Sequence, residues 1–441
     1  MTKPTARIPA WVIGCAMLLA VASCSSTKEG VQRRNRAMAA RPSTVDVNQD
    51  LGLAEMSADV RTVQLYGGED ERQLPILSLG GSDPLVLEFD LLGEAGRPLS
   101  VYFYHADRNW QRDLMPVEYM NSFDRDDLLD FTISHATDLH YVHYNYRFPN
   151  ASIGFTVSGN YILRITEQGA EDDVLFEQPF FVTEQTAPAE LQLNNVMLGG
   201  GYPSTVPLLR FTPPSSAGAS PFDFSVCFVE NGRFESARCS TQPLLTAQPD
   251  LQFDLDPNLA FPPSLAENYL DLSMVRVGSQ IERADLSTNP PSVTLKPDYS
   301  NFPGTPFAPF LNGQTVVSGA VTTVADPDVS AEYVEVGFSI VPPNEQALTS
   351  DVYVVGSFSG WKADPRYRMT WIPDRGRYEG EVLLKQGLYE YRYASRDERF
   401  RQAQRLAPPR SDNVYTAFTY YRDMQLNTDR LIGVQGTSTQ R

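Results

Sequence analysis

The run Leu85-Val86-Leu87-Glu88-Phe89-Asp90-Leu91, followed past Gly93 by Leu99-Ser100-Val101-Tyr102-Phe103-Tyr104, sets the fold class. Both are short stretches of aliphatic, β-branched and aromatic residues, and both read as strands. The same reading extends outward. Val60–Leu65, Phe131–Ser134, Tyr141–Phe148 and Tyr161–Thr166 are further strand segments. Gly67-Gly68, Gly80-Gly81, Pro149-Asn150 and Ser158-Gly159-Asn160 supply the turns between them. Short strands at a spacing of about 10–20 residues, separated by such turns, predict a β-sandwich.

The pattern continues down the chain. Thr186-Ala187-Pro188 marks a boundary, and a second β-rich block follows with Phe224–Glu230, Leu251–Leu255 and Leu270–Val277. A Pro- and Gly-rich stretch separates it from a third block holding Tyr333–Val341, Val352–Val355, Tyr378–Leu384, Tyr389–Tyr393 and Ala417–Tyr421. The predicted architecture is all-β, with tandem immunoglobulin-like sandwiches. Their expected ranges are 56–186, 187–297 and 330–425, with a linker at 298–329 and a tail at 426–441, frayed over Val434–Arg441. The chain has 441 residues, 42% apolar and 11% aromatic, which is enough for several domains with real cores. Its net charge of -18 makes it a poor ligand for nucleic-acid phosphates and anionic lipid surfaces.

The N-terminus reads as an export signal. Lys3 and Arg7 precede the apolar run Ala10–Ala22, of about thirteen residues, where a membrane-spanning helix needs roughly 20. Val21-Ala22-Ser23-Cys24 resembles a bacterial lipobox, which implies a leader at 1–23, lipid on Cys24 and a polar tether at 24–55. An ordinary signal peptide is the plainer alternative. Cys15 leaves with the leader, so Cys227 and Cys239 remain, on either side of Glu230-Asn231-Gly232-Arg233. In an oxidising compartment they read as a hairpin-stapling disulfide, with two buried thiols or a metal pair as the other readings.

Chemistry-bearing motifs are sparse. His105, His135, His140 and His143 cluster in sequence, but His140 and His143 are an odd number apart in a strand-like run and point to opposite faces. Structural or surface roles are expected for them, and no metal or other cofactor. The acidic runs Glu69–Glu71, Asp124–Asp127 and Glu171–Asp173 read as solvated loops. No nucleophile elbow, zincin motif, phosphate loop or thiol–His arrangement is present, so a non-enzyme is expected.

Val352–Trp361, Met369, Tyr378–Val382 and Lys385–Tyr393 together resemble the glycogen- and starch-binding early-set sandwich modules. That likeness implies an aromatic platform at Trp361, with Arg392 where those modules use Lys. The second Trp of those modules has no clear counterpart; Phe400 is nearest. A polysaccharide partner is the alternative function.

A wider set of segments resembles the type IX secretion system plug protein family. In the first block these are Arg61–Leu65, Tyr66-Gly67-Gly68, Leu74–Leu79, His105–Trp110, Leu114, Glu118-Tyr119, Phe123, Asp130-Phe131, Tyr141–Tyr144, Arg147–Asn150 and Ser158–Tyr161. Near the C-terminus they are Leu383–Gly387, Tyr420–Arg422 and Asp429–Gly433. The resemblance implies a periplasmic protein that docks under the outer-membrane translocon barrel and closes its periplasmic mouth. With Cys24 lipidated, it would be an outer-membrane lipoprotein at the periplasmic face. Asn109, Trp110, Arg147 and Asn150 form polar-aromatic loop clusters and are the candidate partner contacts. The alternative is that they are turn and corner residues of the sandwich.

Overall fold

The computed structural model describes residues 51–197, 203–214, 219–244, 249–264, 267–301, 305, 310–319, 326–407, 410 and 412–439. The leader, Cys24 and nearly all of the 24–55 tether lie outside the described residues. Among those residues, no helix is long and apolar enough to cross a membrane.

The first sandwich contains β1 (Val60–Gly67), β2 (Ile76–Ser78), β3 (Leu85–Leu92), β4 (Leu99–Ala106), β5 (Arg125–Leu128), β6 (Phe131–Ile133), β7 (Tyr141–Phe148), β8 (Gly159–Glu167) and β9 (Val174–Thr183). One sheet runs β1-β3-β7-β6 and the other β2-β9-β8-β4-β5. Alternation along a pleated strand decides which side chains meet. On β3, Leu85, Leu87, Phe89 and Leu91 enter the core, opposite Phe148, Tyr146, Tyr144 and Val142 of β7. Phe89 stacks on Tyr144 with ring centroids 5.0 Å apart. Burying each such side chain stabilises by roughly 1.5–3 kcal/mol. Phe103, Tyr161, Phe176 and Phe180 supply the facing sheet.

The middle sandwich opens with β10 (Ala189–Val196), β11 (Ser204–Phe211), β12 (Phe224–Glu230), β13 (Arg238–Ser240) and β14 (Leu251–Asp254). Cys227 and Cys239 stand opposite one another on β12 and β13 and are disulfide-bonded. Asn231 and Gly232 carry the turn after β12 with φ of 51° and 67°, a conformation Asn and Gly tolerate best.

The third sandwich comprises β15 (Asn268–Asp271), β16 (Ile281–Asp285), β17 (Ser292–Leu295), β18 (Asp298–Tyr299), β19 (Val316–Val317), β20 (Tyr333–Val341), β21 (Val352–Gly356), β22 (Arg368–Ile372), β23 (Arg377–Lys385) and β24 (Gly387–Ser395). Its strands follow the order β15-β24-β21-β22-β23-β20-β17-β16, and β22 pairs with both halves. The chain then returns: β25 (Val414–Asp423) and β26 (Thr428–Ser438) complete a middle-sandwich sheet ordered β13-β12-β25-β26.

This topology moves three expected boundaries. Residues 268–295, expected in the middle block 187–297, pair with the third sandwich through β15 and β24, and through β17 and β20. The expected linker 298–329 contributes β18 and β19 to that same sandwich. The end of the 330–425 block and the 426–441 tail form a long hairpin paired to β12, so residues up to Ser438 are strand and not frayed. Strand composition marks a segment as strand. It does not say which sheet, far away in sequence, supplies the missing edge.

Candidate functional site

The outward face of the β1-β3-β7-β6 sheet is polar, yet it is buried. Gln64, Glu88, Asp90 and His143 are all under 9% exposed. The third sandwich lies over them. Asp90 is the hub. Its Oδ1 is 2.9 Å from His143 Nδ1, directly across the β3–β7 pair. Its Oδ2 accepts from Tyr333 OH at 2.7 Å and from Lys385 Nζ at 2.7 Å. Lys385 and Asp90 are each 1% exposed. Lys385 also donates to the Asp328 carbonyl and lies 4.3 Å from the Tyr141 ring centroid. Tyr141 OH donates to the Ala331 carbonyl, and the Tyr333 hydroxyl contacts the Thr62 hydroxyl at 2.6 Å. Every group in this cluster has partners, which a buried ion pair needs if its desolvation is to be offset.

Beside the hub, a cavity of about 590 Å³ opens between the two sandwiches. Tyr66, Glu71, Glu88 and Asp328 are in its wall. Burial pushes the Glu71 carboxyl up to about 7, against hydrogen bonds from Gln64 and the Val317 amide, with Asp328 and Glu88 adding repulsion. Burial likewise raises Asp328 to about 6; Glu88 adds to the rise, and His143 and Lys385 oppose it. Glu88 accepts from Tyr66 OH at 2.8 Å and from Asn145 Nδ2 at 2.6 Å. Burial and Glu88 together push the Tyr66 phenol far up, so it stays a donor.

The opposite face of the first sandwich meets the middle sandwich through apolar contacts. Ile162 and Phe181 pack on Val229, Phe234, Phe418 and Leu431. The Phe181 ring centroid is 4.4 Å from Phe418 and 4.9 Å from Phe234.

A third junction, between the middle and third sandwiches, takes up the residues expected to bind sugar. Arg233 lies over the Trp361 ring at 4.1 Å, and Trp361 Nε1 donates to the Gly313 carbonyl at 2.9 Å. Arg392 is 5.8 Å from the same ring. Glu267, 5% exposed, is bridged by Arg233 and Arg410, and Arg410 reaches Glu390 at 3.0 Å. Burial would raise the Glu267 carboxyl, but the guanidiniums of Arg233 and Arg410 outweigh it and hold it below the usual range. Trp361 and Arg392 therefore take part in the junction, and Arg233 covers one face of the Trp361 ring.

The expected partner contacts divide. Trp110 is 5% exposed and sits edge-on to Phe181 at 5.4 Å. It belongs to the apolar seam, at a backbone φ of 64° that follows the turn at Asp107–Asn109. Asn109 is exposed, its amide bonded to Asp107 Oδ1. Arg147 is exposed and pairs with Glu69 at 3.0 Å on the rim of the acidic cavity. Asn150 is exposed, but its Oδ1 accepts from the Ser152 and Ile153 amides and its Nδ2 donates to Tyr146 OH, which makes it a turn residue. The structure does not bring these four together. Of the other histidines, His105 is fully buried against Asp113 and Tyr161, while His135 and His140 are exposed.

The sequence reading missed one surface. Met115, Val117, Phe123, Leu129, Phe131 and Ile133 are exposed by 39–84%. They lie on the segment from β4 to β7, and β5 and β6 on that segment end both sheets of the first sandwich. The signal was present as apolar residues in an otherwise acidic connection, but local sequence does not say which residues lack a covering partner.

No curated protein matches the chain. A solved structure of a hypothetical protein from Parabacteroides merdae ATCC 43184 superposes with a TM-score of 0.78 at 24% identity, covering 88% of this chain and 98% of that one. At that identity the likeness concerns the fold. Residues 60–184 match the family model described as the Type 9 secretion system plug protein 1st domain. That range spans β1 to β9, the whole first sandwich with its polar face and its exposed apolar edge. The first sandwich, and that part of the chain, is therefore similar to the first domain of the type 9 secretion system plug proteins.

Proposed function

We propose that the chain is a non-catalytic periplasmic accessory of type IX secretion, which docks on the outer-membrane translocon barrel and plugs its periplasmic opening. The observation that carries this reading is the family match over residues 60–184. The packing supports it. A wide aqueous pore is closed by a folded surface that does not deform, and the first sandwich is braced on both faces, by Phe181 and its neighbours on one and by the Asp90–Lys385 hub on the other. The exposed apolar segment around Val117 and Phe123, which leads into the edge strand β5, is the surface we assign to the barrel, since apolar patches beside an open sheet edge suit interface cores. A lipid on Cys24 would raise the effective concentration at the barrel mouth.

The test is affinity capture of the tagged full-length chain from detergent-solubilised outer membranes. Recovery of a very large barrel protein is expected, and Val117→Glu with Phe123→Glu should abolish it while leaving the circular dichroism unchanged. Capture of no barrel, together with retention on a polysaccharide column, would sink the reading.

A further inference from the structure

One donor set on the polar face keeps ligand atoms that neither the packing nor the plug reading uses. Glu88 on β3, His143 on β7 and Asp328 on the short helix Pro327–Ser330 each bring a ligand atom within 4.8 Å of the other two. Two of these residues belong to the first sandwich and one to the third, so the set is complete only when the two are docked. Each residue is held in place by other contacts. His143 is 8% exposed, and its Nδ1 is fixed on Asp90, itself a buried carboxylate. A carboxylate on one imidazole nitrogen orients the ring and leaves the other nitrogen's lone pair to a metal. No described residue engages Nε2. The Glu88 carboxylate is oriented by Tyr66 and Asn145. The Asp328 carbonyl is held by Lys385 and Tyr141, which pins the residue, while no described donor reaches its carboxylate.

Charge points the same way. Glu88, Asp90 and Asp328 have the Lys385 ammonium and, at the rim, the Arg147 guanidinium beside them, which leaves three carboxylates to two cations in a poorly solvated place. Glu88 and Asp328 also line the cavity, which gives a hydrated ion a route in.

We propose that Glu88, His143 and Asp328 form a divalent-cation site of the zinc class that clamps the first sandwich to the third. One imidazole and two carboxylates, with room for water, are a borderline donor set of the kind zinc takes. Calcium and magnesium prefer oxygen donors alone. The site does not depend on the plug reading.

The full mature chain, stripped with a chelator, is titrated with Zn²⁺, and with Co²⁺ as a spectroscopic probe. One equivalent should bind, Co²⁺ should give a visible absorption band of low-coordinate type, and excess Ca²⁺ should not displace it. Binding should raise the melting temperature, since only the docked state offers all three ligands. Asp328→Asn and Glu88→Gln should each weaken Zn²⁺ binding at least tenfold with an unchanged fold. His140→Ala, an exposed residue outside the set, should leave it unaltered. Equal binding by Asp328→Asn and Glu88→Gln, or no saturable binding tighter than about 0.1 mM, overturns the proposal.

Discussion

The two faces of the first sandwich are both buried, and by opposite chemistry. Toward the middle sandwich the contact is aromatic and aliphatic, with Phe181 wedged among Trp110, Phe234 and Phe418. Toward the third it is ionic and hydrogen-bonded, with Asp90 shared by His143, Tyr333 and Lys385. The apolar seam is non-directional, so it stabilises without strongly fixing an angle. The ionic seam contributes less net energy, because two charges are taken out of water, but it tolerates only one arrangement of its partners. One face therefore holds the sandwich on and the other fixes how it sits.

The largest effect should come from the apolar face. Phe181→Ala removes a ring that is 2% exposed and should cost about 4 kcal/mol, read as a lowered denaturant midpoint. A loss under about 1 kcal/mol would mean that the seam collapses around the hole and is not a rigid core. On the ionic face, Lys385→Met leaves Asp90 buried without its cation and should cost about 3 kcal/mol. Adding Asp90→Asn should recover part of that loss, because the stranded charge is gone while an amide oxygen remains for Tyr333. If the two substitutions simply add, the pair is not coupled and the contrast between the faces fails.

How much of this was legible follows from how far apart the partners lie. The run around Phe89 announces a strand from its own composition, and the plug-type first sandwich was readable from segments such as Tyr141–Tyr144. Lys385 is visible in the sequence only as part of the segments Leu383–Gly387 and Lys385–Tyr393. Its partner Asp90 is 295 positions away, and no periodicity links the two. Trp361 looked like a sugar platform for the same reason: Arg233, which covers it, comes from another sandwich. The return of β25 and β26 to β12 is again a pairing that strand composition cannot choose. Alternation on β3 places Glu88 and Asp90 on the outward face, where a solvated surface is the default, and only the third sandwich makes that face an interior.

A smaller effect distinguishes the faces by pH. The Glu71 carboxyl sits at about 7 in the folded chain, above the ordinary carboxylate value of 4.5. A raised acid binds its proton more tightly when folded, so this group favours folding at pH 5 and that contribution is lost as pH rises through about 7. Glu71→Gln keeps the oxygen that accepts from Gln64 and the Val317 amide. It should therefore stabilise by about 2 kcal/mol at pH 8, do little at pH 5, and flatten the pH slope of the denaturant midpoint between them. Phe181→Ala should shift the midpoint equally at both pH values, since nothing it touches titrates there.

The smallest effect belongs to the rim of the ionic face. Arg147 and Glu69 pair at 3.0 Å, but their side chains are 48% and 82% exposed. Such a pair is worth roughly 0–1 kcal/mol, and Arg147→Ala should move the denaturant midpoint by less than about 0.5 kcal/mol at physiological salt. The substitution is nonetheless informative because Arg147 is an exposed cation beside the acidic cavity. Barrel capture reduced by Arg147→Ala at unchanged stability would extend the docking surface from the Val117–Phe123 edge to this rim. A loss of stability near that of Lys385→Met would instead show that the ionic seam reaches the surface, and that the boundary between holding the sandwich and presenting it lies further out than its burial indicates.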